Sequence, residues 1–110
     1  MMTPIHPDRD FYILDALAND VEDVSSILQM LNSDSELGWH KELGRKFTCN
    51  DVAEGLSRLV RLGSVQVYLT DDDEKALIPL AEKTLPLEMS VAWFGLTGRG
   101  RLIHENWKSG

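Results

Sequence analysis

Three histidines, one cysteine, an acidic run and a glycine–arginine repeat are the features of this 110-residue chain that could do chemistry. His6, His40 and His104 share no helical metal-ligand spacing, so neither they nor Cys49 define a zinc site by pattern. Cys49 stands where a helix is expected to begin, a place that can lower a thiol pKa. It reads more simply as a small residue beside a helix cap. The run Asp71 to Glu74 lacks the alternating ligands and distal glutamate of a calcium loop, so it reads as a solvated turn. "GRGR", residues 98–101, lacks the lysine of a phosphate loop and has too few glycines for a dinucleotide fingerprint. It reads as a helix start with Gly100 packed close to a strand. No catalytic residue, metal or cofactor is expected.

The elements that would position any site follow from patterning. A composition of 43% hydrophobic and 26% charged residues is that of an ordinary globular chain, and one domain over residues 1–110 is expected. No apolar run is long enough to span a bilayer, and the N-terminus has no signal-peptide pattern. A single cysteine excludes an internal disulfide, and the expected location is the cytoplasm. The net charge of −7 is uneven. Residues 1–40 hold eight acids and one base, whereas residues 41–70 hold five bases and three acids. Residues 71–90 are acidic again, with six acids to two bases.

The spacing predicts a first helix from Pro7 to Ala18, with Phe11, Ile13, Leu14, Leu17 and Ala18 inward and Tyr12 and Asp15 outward. Asp20 is the expected N-cap of a second helix whose stripe is Val21, Val24, Ile27, Leu28 and Leu31. A short helical turn is expected within Ser35 to Leu43, with Trp39 against the core. Thr48 then caps a third helix. Asp51 completes a capping box, and Phe47 with Val52 forms a hydrophobic staple. Val52, Ala53, Leu56, Leu59 and Val60 span roughly 120° of the helical wheel. Gly63 is the expected left-handed cap. "VQVYL", residues 65–69, and "SVAWFGL", residues 90–96, read as antiparallel strands. Between them Pro79 and Pro86 predict a short helix or irregular insert. Alternation puts Trp93 and Phe94 on opposite faces of the second strand, which leaves an aromatic free to anchor a partner. Thr97 caps a last helix.

Three helices, a strand pair and a closing helix, with "FT…V…L.RLV..G.V" and "WFGLTGRGRLIHE", resemble the winged helix-turn-helix family over residues 8–107. The resemblance implies an α+β fold in which the third helix is a recognition helix and the β-hairpin is a wing. It also implies a non-enzymatic, transcription-regulator-like protein that binds double-stranded DNA. Asn50, Ser57, Arg58 and Arg61 would then face the groove, because Asn and Arg pair bidentately with adenine and guanine. Lys41, Arg45 and Lys46 would reach phosphates. Two features depart from that pattern. Residues 32–47 make a long connection between the helices, and the wing begins "TDDDEK", whose aspartates repel phosphate. The alternative is an acidic protein–protein interaction module that keeps the fold without DNA binding, its partner another protein or a second copy of itself.

Overall fold

The computed structural model describes residues 7–34, 38–73 and 75–109, with only the backbone of Pro7 and Asp8. His6, Ser35 and Glu74 lie outside the described residues. The elements run α1 (Pro7–Ala16), β1 (Glu22–Asp23), α2 (Val24–Leu31), α3 (His40–Leu43), α4 (Cys49–Arg61), β2 (Val65–Thr70), β3 (Leu77–Pro79), a 3₁₀ turn (Met89–Val91), β4 (Trp93–Leu96) and α5 (Gly98–Ser109). The strands form one antiparallel sheet in the order β1-β4-β2-β3, and the architecture is α+β.

The longest helix begins as its residues direct. Thr48 Oγ1 accepts from the Asp51 N–H at 3.0 Å, and Asp51 Oδ2 accepts from the Thr48 N–H at 2.8 Å, which closes the capping box. Phe47 and Val52, the two halves of the staple, are both buried. The helix stops at Leu62, and Gly63 follows at φ +79°. Thr97 caps α5 through its Oγ1, which accepts from the Gly100 N–H at 3.0 Å. Gly100 itself lies against the backbone carbonyl of Ser64, so even a methyl group there would collide with main chain. Of the two glycines in the first turn of α5, Gly100 therefore serves close packing, while Gly98 has open space around it.

One core joins these elements. Ile13, Leu14 and Leu17 of the α1 segment meet Ile27 and Leu31 of α2 and Val52, Leu56 and Val60 of α4. Val65, Val67 and Phe94 enter from the sheet. Phe94 is fully buried while its neighbour Trp93 stays partly exposed, so strand alternation assigns Trp93 to the outer face.

The structure departs from the sequence reading at five places. The expected strand over residues 90–96 is shortened to Trp93–Leu96, because Met89–Val91 form a 3₁₀ turn in which the Ala92 N–H bonds Met89 O. α1 ends at Ala16, its last turn tightening where Leu17 N–H bonds Leu14 O and Ala18 N–H bonds Asp15 O. Tyr12 and Asp15 do not face solvent, because Trp39 and the last turns of α5 cover that side of α1. Asp23 caps α2 rather than Asp20, its Oδ1 accepting from the Ser26 N–H at 2.8 Å. Glu22 and Asp23 first pair with β4, so the helix cannot start earlier. The insert after the acidic turn contributes a strand, β3. Ladder bonds from Asp71 N–H to Ala76 O and from Leu80 N–H to Val67 O put Ala76, Ile78 and Leu80 toward β2. Leu77 and Pro79 therefore point their backbone groups outward, where proline's missing N–H breaks no ladder bond.

Leu56, with no exposed surface, lies at the centre of the α4 stripe. Leu56→Ala should destabilise the fold by about 2–5 kcal/mol, read as a lowered urea midpoint, as buried leucine truncations do. Gly100→Ala should cost at least about 1–3 kcal/mol by overpacking, since the colliding atom belongs to the backbone. A midpoint matching the unsubstituted chain for either variant contradicts the packing described.

Candidate functional site

The residues expected to face DNA lie on or just before α4, and the structure gives most of them partners within the fold. Arg45 donates to the Asp51 carboxylate twice, Nη1 to Oδ2 at 2.7 Å and Nη2 to Oδ1 at 3.1 Å. Arg9 of α1 donates Nη1 to the same carboxylate at 3.1 Å. The Arg45 guanidinium, helped by the Thr48 N–H, holds the Asp51 carboxyl well below the ordinary carboxylate range, against the opposing effect of burial. Asp51 raises the Arg45 pKa in return.

Arg58 is committed in the same way. Its Nε and Nη2 donate to the two oxygens of Asp10 at 3.1 and 2.8 Å, a fork-to-fork pair that ties α4 to α1. This pairing raises the Arg58 pKa. Gly55, between Asp51 and Arg58, lies against Ile13 and lets the two helices come this close. Ser57 Oγ donates back to the Ala53 carbonyl at 2.8 Å, and Asn50 Nδ2 donates to Glu54 at 3.4 Å. Lys46 Nζ donates to the Asn32 carbonyl at 3.2 Å. Arg61 and Lys41 are exposed, and neither has an ion-pair partner among the described residues. The exposed face of α4 thus keeps one free positive charge, Arg61, against Glu54.

A second polar cluster was not foreseen from the sequence. Asp15 Oδ2 accepts from Trp39 Nε1 at 2.8 Å, and Asp15 Oδ1 lies 2.8 Å from His104 Nε2. Tyr12 stacks on Trp39 with ring centroids 4.6 Å apart, and Phe11 stacks on Trp107 at 5.3 Å. Lys108 Nζ lies within 6 Å of both indole rings, at 5.8 and 5.7 Å. The cluster fastens the long α2–α4 connection and α5 to α1. Cys49 is exposed at the start of α4. His40 sits elsewhere, its Nδ1 3.2 Å from the Leu31 carbonyl.

Comparison with protein-family models, with curated proteins and with solved structures finds no match for this chain. No helix among the described residues is long and apolar enough to cross a membrane.

The depressed Asp51 pKa sets a direction for acid stability. The unfolded chain takes up a proton at Asp51 near the ordinary value of about 4, while the folded chain resists it. The Asp51 contribution is therefore complete above that value and is lost as pH falls below it toward the depressed one. Urea titrations from about pH 5 to about pH 2 should show this loss, with a shallower pH slope for Asp51→Asn. At neutral pH, Asp51→Ala should cost about 2–4 kcal/mol by removing the Asp51 half of the capping box and leaving Arg9 without its carboxylate. Equal acid slopes for the unsubstituted chain and Asp51→Asn rule out this role.

Proposed function

We propose that this chain is a non-enzymatic, winged-helix-type protein-interaction module in which α4 serves the fold and does not read DNA. The order of helices, the short β1 before α2, and the hairpin following α4 support the winged-helix part of the reading. The observation that carries the functional part is the commitment of Arg45 and Arg58 to Asp51 and Asp10. Direct readout needs a free guanidinium at a base edge, and phosphate contact needs a free cation at the backbone. Drawing Arg58 away to reach DNA leaves Asp10 in the α1–α4 interface without its cation, and drawing Arg45 away leaves Asp51 with Arg9 alone. The turn after β2 adds Asp71, Asp72 and Asp73 where a wing would cross phosphates, and these repel them. Of the bases expected to face DNA, Arg61, Lys41 and an already bonded Lys46 remain, few for counterion release to drive binding through α4.

Fluorescence anisotropy with labelled random duplex DNA tests this reading. At about 50 mM salt, where phosphate contacts are strong, the chain should show no salt-sensitive binding. Arg61→Glu should leave the signal unchanged. Binding that falls steeply with rising salt and disappears in Arg61→Glu would return α4 to the role of a recognition helix.

A further inference from the structure

The outer face of the sheet carries exposed apolar groups beside carboxylates that have no ion-pair partner among the described residues. Two hollows, of about 320 and about 400 Å³, meet at Trp93 and Thr70. Leu77 lines the first at 40% exposure, and Val91 lines the second at 60%. Asp20 and Asp23 stand at their walls, with Lys75 the only base in either lining. Each aspartate uses one oxygen inside the fold, Asp20 accepting from the Val21 N–H and Asp23 from the Ser26 N–H. The second oxygen of each keeps its acceptor capacity. Asp72 and Asp73 are exposed on the turn beside Thr70.

We infer that this face docks a basic segment of a partner protein, with a large apolar side chain seated between Val91, Leu77 and Trp93 and a Lys or Arg held by Asp20, Asp23 and the Trp93 ring. The inference rests on the interaction-module reading and names the partner's chemistry. Charge complementarity selects the occupant. An aromatic ring flanked by carboxylates attracts a cation from both sides, and the chain's net charge of −7 steers a basic partner toward it. A second copy brings the same negative charge and the same aspartates, so like charges oppose a two-fold contact here. Addition of a backbone strand along β3 is disfavoured as well. Of the outward-facing positions on edge strand β3, Leu77 offers an N–H, while Pro79 has none. Recognition on this face is therefore through side chains.

The test is a selection of short random peptides displayed on phage against the full chain, followed by anisotropy with the selected peptide made synthetically. Enriched peptides should combine Lys or Arg with a large apolar residue, and their affinity should fall as salt rises. Asp20→Lys and Val91→Lys alter exposed side chains, so circular dichroism should report an unchanged fold. Each should weaken peptide binding by about tenfold or more, as loss of a central contact does. Arg61→Glu, away from these hollows, should leave it unchanged. Failure to enrich any peptide, or enrichment of acidic ones, overturns the inference. So does a basic peptide that binds both Lys variants as tightly as the unsubstituted chain, although the interaction-module reading would survive that result. Salt-sensitive DNA binding by the same preparation would instead remove the reading itself.

Discussion

Asp51 accepts hydrogen bonds from the Thr48 N–H, from Arg45 six residues before it, and from Arg9 on another helix 42 residues away. One carboxylate thereby starts α4, closes the loop that leads into it, and docks α1 against it. The Asp10–Arg58 pair repeats the arrangement two turns further along, with Gly55 between them at the point of closest approach. Taking these charges out of water is expensive, and the expense is offset only while every partner stays in place. This couples the helices. α1 cannot shift without parting Asp10 from Arg58 and Arg9 from Asp51. The sheet then builds on a fixed α4, through Gly63 and the bond from Thr97 Oγ1 to the Gly63 carbonyl at 2.7 Å.

Local signals in the sequence carried much of this fold, and nonlocal ones did not. The Thr48–Asp51 box, the Phe47–Val52 staple, Gly63, the two longer strands and Thr97 depend on residues at most a few positions apart, so spacing alone reveals them. Asp15 defeats that reasoning because its partners lie 24 and 89 residues away. On a wheel it sits with Tyr12 on the polar side of α1, and only Trp39 and α5 make that side an interior. The choice between Asp20 and Asp23 as a cap could not be made from residue type, because both are good N-caps. Pairing of Glu22 and Asp23 with β4 decides it. β3 was hidden by Pro79, since proline argues against a strand unless the sheet leaves its backbone side unpaired.

The expected DNA-facing residues show the same division. The helical wheel correctly separated Leu56 from Arg58, yet it could not say whether the polar side meets water or another helix. Arg58 lies at the margin of the two faces, and Asp10 claims it. The basic balance of residues 41–70 was visible in composition. That two of its five bases are paired with acids inside the fold was not.

This pairing also explains where the surplus acid goes. Asp10, Asp15 and Asp51 lie inside the helical layer, and each pairs with a side chain from a distant part of the chain. They take up Arg9, Arg45 and Arg58, so much of the positive charge near α4 is spent on holding the helices together. The carboxylates at the sheet's outer face, Asp20 and Asp23, bond to nearby backbone N–H groups, and among the described residues neither has an ion-pair partner. A basic residue placed among them would neutralise the cluster, but the chain supplies only Lys75 there. The helical layer therefore presents a nearly balanced surface, while the sheet presents a negative one beside exposed Val91 and half-buried Trp93. The field that an approaching molecule meets is set by which acids the fold has left unpaired.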